Sequence, residues 1–321
     1  MSALPTRVRR WSVALAVVTV QAIAFAVAIA ADVPTAYAVF AVASSAVLAW
    51  GTGRGVFETL LAVFGTLLLL ALGLPLLMIV ARQDPALVAE TALSPEVQRA
   101  LYLSVYAPLL SALFVTVLGV PVAYLLARGF AGQQFVESLV DLPLVVPHSV
   151  AGLAVLFAFG RGAALPSLSV YGTLVGMVLA MSFVSAPFAV NAAREAFESV
   201  DRRVEQAARS LGASPYETFK RVHAPLAARG MLTGGLLAWA RAVSEFGAVA
   251  MVAYNVEVFF PGTWSTVRTQ HAPVYIYNTF LSEGLAESGA VAVLLLAVCA
   301  LIFLAVRWLA YDTSGSHGGI V

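Results

Sequence analysis

Residues 56–80, VFETLLAVFGTLLLLALGLPLLMIV, form an apolar run that contains one charged side chain, Glu58. A helix that crosses a lipid bilayer needs about 20 consecutive and mostly apolar residues, because its backbone must satisfy its own hydrogen bonds in the absence of water. The run is long enough to meet this requirement. It therefore predicts a transmembrane helix.

Apolar runs of similar length recur on both sides of this stretch. Hydrophobic residues make up 61% of the 321-residue chain and charged residues 11%, against about 25% charged in soluble domains. The sequence predicts an all-α integral membrane protein with about eight transmembrane helices. The seven further segments that qualify or nearly qualify as spans are residues 11–31, 33–50, 99–127, 138–160, 170–192, 230–254 and 289–309.

The distribution of lysine and arginine predicts the orientation of the chain. With the N-terminus inside, thirteen of these residues fall on the cytoplasmic side and four outside, namely Arg82, Arg99, Arg161 and Arg268. Cytoplasmic loops carry an excess of Lys and Arg. We therefore expect a multi-pass protein of the cell membrane with both termini cytoplasmic, residues 194–229 inside and 255–288 outside. Residues 1–30 also resemble a cleaved signal peptide, but their apolar run is unusually long and favours a retained helix.

Two residue types that occur once each exclude several classes of function. Lys220 is the only lysine, between Phe219 and Arg221, so the chain lacks the G-K-[ST] sequence of a phosphate-binding loop. If the protein uses ATP, another polypeptide must bind it. Cys299 is the only cysteine, which excludes an internal disulfide and a cysteine-cluster metal site. A net charge of +1 gives no bulk attraction for nucleic acid.

Residues 194–224 predict two helices joined by a glycine turn. The first is amphipathic, and Glu205 and Arg209 form a pair four residues apart on its polar side. Gly212 follows, where a left-handed cap would end the helix. The apolar residues at helical spacing are Phe197, Val200, Val204, Ala207, Ala208 and Leu211.

The second helix of this loop is short and firmly capped. Ser214 and Glu217 are spaced as a capping box, with Pro215 at the first helical position, and Pro225 is expected to stop the helix. Two interpretations stay open from the residues alone: docking in the groove of a partner protein, or an interfacial helix pair on the anionic inner leaflet. The side chains on display are Tyr216, Phe219, Lys220 and Arg221.

A sequence signature runs through this loop. Gln206-Ala207-Ala208-Arg209-Ser210-Leu211-Gly212 is followed by Phe219 and then by His223-Ala224-Pro225. The pattern resembles the EAA loop of binding-protein-dependent ABC importer permeases, in which E-A-A, three residues and Gly precede a distal Leu-Pro. Gln206 replaces Glu, with Glu205 one position earlier, and Ala224 replaces Leu. The resemblance implies that the loop docks on a separate ATPase subunit and transmits its closure.

Three further segments narrow the resemblance: residues 141–152 (DLPLVVPHSVAG), 240–248 (ARAVSEFGA) and 272–277 (APVYIY). They resemble molybdate/tungstate permeases, and sulfate permeases share much of this framework. The resemblance implies a homodimeric oxyanion importer, for molybdate or tungstate before sulfate or thiosulfate, that catalyses no bond chemistry itself. It implies two copies of an ATPase that binds ATP and Mg, an external oxyanion-binding protein and no cofactor in this chain. A stand-alone secondary transporter is a more distant alternative.

The resemblance also predicts the domain layout. Two additional transmembrane helices occupy residues 1–55, and a six-helix permease core occupies residues 56–310. Within that core, the conserved-type transmembrane domain covers about residues 97–309 and the coupling loop covers 194–229. Residues 311–321, rich in Gly and Ser, predict a disordered cytoplasmic tail.

Five polar or proline residues in the predicted spans are candidates for the translocation path or its gate. Arg241 and Glu245 lie four apart on one predicted helix, where they either pair to fix helix packing or line the oxyanion path. Their near balance of charge argues against a strongly attractive fixed site. Asp141 either bonds a neighbouring helix or faces the path. His148 follows Pro147 at mid-span, where proline permits a hinge or gate.

Overall fold

The structure, a computed structural model, describes residues 6–51, 53, 55–160 and 170–312. Within these residues the chain is almost entirely helical, with one β-hairpin formed by β1 (Val256–Phe260) and β2 (Ser265–Thr269). The helices are α1 (Thr6–Ala30), α2 (Pro34–Gly51), α3 (Gly55–Ala81), α4 (Pro85–Leu93), α5 (Pro95–Arg128), α6 (Gln133–Asp141), α7 (His148–Phe159), α8 (Leu174–Glu198), α9 (Arg202–Ser210), α10 (Pro215–Thr218), α11 (Ala224–Val243), α12 (Gly247–Val252), α13 (Ala272–Ser282) and α14 (Leu285–Asp312).

The apolar helices confirm the prediction of a helical membrane protein. Among the described residues, five helices are long and apolar enough to cross a membrane: α2, α3, α5, α8 and the Leu285–Val306 part of α14. The pair Gln133–Leu144 and His148–Phe159 makes a sixth if it is counted as one broken span. In α1, the shorter segment Ala16–Ala30 is apolar. The predicted tail 311–321 begins inside α14, and residues 313–321 lie outside the described part of the chain.

Two predicted spans are not straight helices. Residues 138–160 bend by 116° between the 3₁₀ turn Leu142–Leu144 and α7, next to Pro147, where the sequence allowed a hinge. Pro143 and Pro147 explain the bend, because proline lacks an N–H group and interrupts helical hydrogen bonding. The predicted span 230–254 also breaks, since α11 ends at Val243 and α12 begins at Gly247.

The helices divide into two compact units, Met1–Gln83 and Asp84–Val321. By contacts, α3 belongs with α1 and α2, whereas the sequence grouped α3 with the core. Within the first unit, Gln21 of α1 donates a hydrogen bond to Ser44 of α2 at 2.9 Å. Phe25 and Tyr37 pack edge to face, with ring centroids 5.2 Å apart. A hydrogen bond between apolar helices substitutes for the water that lipid cannot supply.

The second unit is built on the mutual packing of α5, α8 and α11. Its buried side chains include Leu103, Met177 and Met181. Glycines let α11 approach α8 closely: a Cβ atom on Gly230 would lie 2.2 Å from the Cβ of Ala196. Small residues at such crossings allow the tight helix contacts on which membrane bundles depend.

Replacing Gly230 by alanine is expected to destabilise the folded protein by about 1–3 kcal/mol, because its Cβ atom and that of Ala196 cannot share the space between α8 and α11. Thermal unfolding of the purified protein in detergent measures the effect. The matched control is Gly65→Ala in α3, where a Cβ meets nothing within 4 Å and alanine improves helix propensity. Equal melting temperatures for the two variants would contradict the prediction.

The segment between α12 and α13 contains the hairpin, which the all-α prediction did not include. Its strands pair antiparallel, with Val256 opposite Thr269 and Phe260 opposite Ser265. Phe260 packs edge to face on Tyr102 of α5, with centroids 5.4 Å apart. At the turn, Trp264 is 82% exposed and has a φ of +49°, which a bulky residue rarely adopts.

Candidate functional site

The loop between α8 and α11 contains two short, separately capped helices, α9 and α10, followed by a π-helical turn. Asp201 caps α9 by accepting a hydrogen bond from the backbone N–H of Arg203 at 2.8 Å. A new helix therefore begins at Arg202, after α8 has ended at Glu198. The prediction of one amphipathic helix from Phe197 to Leu211 is therefore wrong. An Asp side chain offers a starting helix an acceptor, and that local bond competes with continuation of the preceding helix.

Gly212 ends α9 as the sequence predicted. Its φ is +88°, the left-handed region that glycine adopts without strain. The N–H of Gly212 bonds the carbonyl of Arg209 at 2.9 Å, and the N–H of Ala213 bonds that of Ala208 at 3.1 Å. This is the Schellman arrangement, which satisfies the last carbonyl groups of a helix and reverses the chain.

The predicted capping box at the start of α10 is present. The Ser214 hydroxyl accepts from the Glu217 backbone N–H at 3.3 Å, and the Glu217 carboxylate accepts from the Ser214 N–H at 2.9 Å. The backbone hydrogen bond from Ser214 lowers the pKa of Glu217, so this carboxylate stays ionised at neutral pH. The orientation of α10 is thus fixed by its own first turn.

Pro225 does not stop the second loop helix. Residues Phe219–His223 form a π-helical turn that joins α10 to α11 without a break, and the N–H of Ala224 bonds the carbonyl of Phe219. Proline crowds the carbonyl four residues earlier in a regular α-helix. The wider π turn accommodates the extra residue at this point. Pro225 consequently lies in the first turn of α11, and the loop helix is continuous with that helix.

The inner side of the loop packs on the end of α5. Tyr124 is at the centre of an aromatic cluster, with ring centroids 4.9 Å from Phe219, 5.3 Å from Phe197 and 5.5 Å from His223. The sequence placed Phe219 on the displayed face. That prediction is wrong, because the ring is partly buried against the protein's own core.

The outer side of the loop presents apolar side chains among basic ones. Leu211 is 89% exposed and Tyr216 is 68% exposed, in the segment that the sequence predicts to be cytoplasmic. They lie at opposite ends of the turn that follows α9. Four further candidates from the sequence, Gln206, Ala207, Lys220 and Arg221, are also exposed. We call this set, with Leu211 and Tyr216, the outer loop face.

A charged network ties α9 to α5. Glu205 accepts from Arg128 at 2.6 Å and pairs with Arg209 at 3.1 Å, so the predicted Glu205–Arg209 pair is confirmed. Arg128 also donates to the Tyr124 hydroxyl at 2.7 Å and contacts His223 Nε2 at 2.9 Å. Since arginine only donates, Nε2 accepts and the imidazole proton lies on Nδ1.

The pKa shifts in this network favour an ionised Glu205 and a neutral His223 at neutral pH. Partial burial raises the pKa of Glu205, but the hydrogen bond and charge of Arg128 oppose it, and the net shift is downward. Burial first, and then the charge of Arg128, lower the pKa of His223. At neutral pH the network is therefore an ionised carboxylate between two arginines, with a neutral histidine beside them.

A second group of candidate residues converges where α7, α11 and α12 meet. Arg241 donates to Glu245 at 3.1 Å, as predicted, and to Nε2 of His148 at 2.6 Å. His148 Nδ1 lies 3.4 Å from the same carboxylate. Glu245 is fully buried, at 0% exposure, and its other oxygen accepts from the backbone N–H of Ala248 at 2.9 Å. The carboxylate thus neutralises Arg241 and caps α12.

Glycines allow the backbones around this cluster to meet. A Cβ on Gly152 of α7 would lie 2.9 Å from the carbonyl oxygen of Ala248. A Cβ on Gly247 would lie 3.0 Å from the Cβ of His148. A side chain at either position would therefore crowd the neighbouring helix. Pro147 immediately precedes α7 and aims its first residue, His148, at the cluster.

Asp141 lies apart from these three residues in a different contact. Its carboxylate accepts from the side-chain amide of Asn191 on α8 at 2.8 Å, which is the inter-helix hydrogen bond that the sequence allowed. Arg194 nearby pairs with Glu137 at 2.6 Å and with Glu198 at 2.7 Å. Within the described residues, no three His, Cys, Asp or Glu side chains are grouped to hold a metal ion.

Sequence reasoning missed the residues that hold the loop from within. Arg128 and Tyr124 lie on a helix that the sequence treated as a plain span, Phe197 was assigned to the loop without its contact to Tyr124, and His223 was counted only as part of a motif. Arg128 and Glu205 are 77 positions apart. The one signal in the sequence was the position of Arg128 at the end of an apolar run. A basic side chain there reaches the polar surface of the membrane, where partners are available.

Comparison with known proteins places this geometry in a family. Residues 116–311 match the family described as "Binding-protein-dependent transport system inner membrane component". The chain belongs to this family. It is a transport permease of the ABC importer class, and the family's match spans both the loop and the buried cluster.

Individual relatives of the permease carry substrate names. It is 36% identical over 260 residues to the "Molybdate/tungstate transport system permease protein WtpB" of Pyrococcus abyssi, covering 80% of this chain and 97% of that one. The protein of the same name from Pyrococcus furiosus is 39% identical over 248 residues, covering 76% of this chain and 92% of that one. A "Probable sulfate transport system permease protein cysT" of Nephroselmis olivacea is 33% identical over 225 residues, covering 68% and 76%.

Solved structures share the fold of the permease. A bacterial ABC transporter involved in the import of the acidic polysaccharide alginate superposes with a TM-score of 0.60 at 15% identity, covering 80% of this chain and 95% of that one. The MetNI methionine ABC transporter superposes with a TM-score of 0.55 at 18% identity, covering 68% and 95%. These likenesses establish the architecture of the transmembrane helices.

Proposed function

We propose that this permease forms the pore of an ATP-driven importer for molybdate or tungstate. The observation that carries the substrate is the 36% and 39% identity to relatives of that name over 97% and 92% of their length. The relative named for sulfate transport is matched over less of its length. Two copies of the chain would enclose the pore, and an external oxyanion-binding protein would deliver the anion.

The outer loop face supports a partner that hydrolyses ATP. The chain lacks a phosphate-binding loop, since its only lysine is Lys220, so the energy source lies on another polypeptide. Leu211 and Tyr216 are exposed among basic residues, which suits insertion into the groove of a protein rather than burial within this chain. We assign this face to a cytoplasmic ATPase subunit that binds ATP and Mg, with one copy on each permease.

The orientation of the permease follows from its basic residues. We place both termini and the loop 194–229 in the cytoplasm and residues 255–288 outside, because thirteen Lys and Arg residues then face inward and four outward. In a Cys299→Ser background, a cysteine replacing Ser214 should react only with membrane-permeant thiol reagents. A cysteine replacing Thr263 in the hairpin turn should react with impermeant ones. The reverse labelling in intact cells would refute this orientation.

We assign the cluster of His148, Arg241 and Glu245 to the translocation path. The arginine is balanced by a buried carboxylate, so a passing dianion meets a polar but nearly neutral site. A permease must release its substrate, and weak sites serve that need better than strong ones. Pro147 and the 116° bend before α7 bring His148 to this point, which suits a gate. Asp141 would fix α6 to α8 at the inner end of the path.

Reconstitution tests the substrate directly. The permease, its ATPase and its binding protein are placed in proteoliposomes, and ATP hydrolysis is measured with the binding protein loaded by molybdate, tungstate or sulfate. We expect stimulation by molybdate and tungstate, because relatives matched over 97% and 92% of their length carry those names. Liposomes with the permease alone are the control and should accumulate no anion with ATP. Stimulation by sulfate alone would reassign the substrate to sulfate or thiosulfate.

A further inference from the structure

The guanidinium group of Arg128, the last residue of α5, is the point where the loop is attached to the membrane bundle. It donates to three different partners: the Glu205 carboxylate at 2.6 Å, the Tyr124 hydroxyl at 2.7 Å and His223 Nε2 at 2.9 Å. It also lies 4.9 Å from the centroid of the Tyr124 ring. One side chain thus joins α5, α9 and the π-helical turn.

Its partner Glu205 is the side chain by which α9 meets α5. α9 packs along the chain against α10 and the π-helical turn, and its outer side is exposed. The carboxylate of Glu205 lies on the inner side, between Arg128 and Arg209 at 2.6 and 3.1 Å. Hydrogen bonds between charged groups are shorter and stronger than neutral ones, so this contact holds α9 against the end of α5.

An aromatic layer completes this attachment. Tyr124, one turn before Arg128, contacts Phe197 at the end of α8 and Phe219 in the π-helical turn, with centroids 5.3 and 4.9 Å apart. The loop is therefore joined to α5 by a polar contact on one side and an aromatic contact on the other. α5 has 34 residues and is about 51 Å long, well beyond the thickness of the hydrocarbon core.

We propose that Arg128 is a positioning residue that transmits movement of the docked loop to α5. The inference rests on the proposed function, in which a partner ATPase moves the loop. A push on the outer loop face displaces α9, and the Glu205–Arg128 contact carries that displacement into a helix that runs through the bundle and packs on α8 and α11. Without this contact the loop still docks, but α9 no longer passes its displacement directly to α5.

The test measures anions imported per ATP hydrolysed by the full complex in proteoliposomes. Arg128→Gln should lower this ratio about tenfold, the equivalent of about 1.4 kcal/mol, while the ATPase still co-purifies because the outer loop face is unchanged. Arg128→Lys should give a ratio between those of wild type and Arg128→Gln, since a compact ammonium group does not reproduce the donor geometry of the planar guanidinium. Exchanging the charges, with Arg128→Glu and Glu205→Arg together, should restore part of the ratio.

The matched control is Arg194→Gln. Arg194 also holds two carboxylates near the end of a spanning helix, Glu137 and Glu198, but its partners lie on α6 and α8. This variant should keep the wild-type ratio. Hydrogen exchange across residues 202–210 provides a second readout, and it should accelerate in Arg128→Gln and stay unchanged in Arg194→Gln.

The outcomes separate this inference from the function on which it rests. A wild-type ratio in Arg128→Gln, or an equal loss in Arg194→Gln, would overturn the positioning role while leaving the importer assignment intact. A wild-type complex without ATP-driven uptake would refute the proposed function instead, and hydrogen exchange would then still decide whether Arg128 holds α9. If Arg128→Gln does not insert, Arg128→Lys is measured in its place.

Discussion

Replacing Tyr216 by alanine weakens association with the ATPase about 30-fold, and adding Leu211→Ala weakens it further. Loss of a buried aromatic anchor commonly costs about 2 kcal/mol or more of binding, which corresponds to this factor. Both side chains are exposed in the permease, so their removal leaves its own packing unchanged. The measurement is the amount of ATPase retained on the purified permease as its concentration is lowered, with uptake measured in parallel.

A matched control separates docking from general damage. Leu72 in α3 is 62% exposed, in a part of the chain that precedes the family match, and Leu72→Ala should leave both ATPase retention and uptake at wild-type levels. Phe219→Ala should differ from Tyr216→Ala, because Phe219 packs inward on Tyr124 and its loss loosens the loop as well. Full ATPase retention by the Tyr216 and Leu211 double variant would show that the outer loop face is not the docking surface. It would favour the alternative in which the loop lies on the inner leaflet of the membrane.

Glu245→Ala is expected to be the most destabilising single change in the second unit. It removes the carboxylate that neutralises Arg241 and leaves a largely buried cation unpaired, which costs about 3–5 kcal/mol. It also removes the cap on α12. Thermal unfolding should show a large drop in melting temperature, and uptake should be abolished.

A double variant distinguishes packing from transport in this cluster. Arg241→Met with Glu245→Leu removes both charges and fills their space with apolar groups, which commonly restores stability. If the pair lines the oxyanion path, the double variant regains thermal stability but not uptake. Wild-type uptake by a stable double variant would assign the pair to helix packing alone and remove His148, Arg241 and Glu245 from the proposed path.

Local features of the loop were predictable from sequence, and contacts between distant segments were not. The Gly212 cap and the Ser214–Glu217 capping box each depend on atoms within four residues, so residue type and spacing specify them. The Glu205–Arg209 and Arg241–Glu245 pairs follow in the same way from helical spacing. The family resemblance also came from short segments read in order.

The errors arose where the surrounding structure decides the conformation. Hydropathy alone cannot locate the break at residues 244–246, because the carboxylate that stabilises it becomes buried only when α7 and α12 meet. Phe219 was placed outward because helical periodicity does not reveal that Tyr124 covers one side of the loop. The same limit hid Arg128, whose partner Glu205 is 77 positions away. Pro225 misled in another way, since a wider turn relieved the clash that was expected to end the helix.

The π-helical turn Phe219–His223 sets the angle between docking and membrane faces. Each residue of an α-helix advances the side chains by about 100°, and a π turn inserts one residue into that progression. The face that carries Tyr216 is therefore rotated by about 100° from where an uninterrupted helix into α11 would put it. Deleting one residue of the π turn would let a regular α-helix run into α11 and would leave Tyr216 pointing in nearly its present direction. The spacing from Tyr216 to Pro225 thus encodes a helical phase, and the π turn sets the direction from which the permease receives its partner.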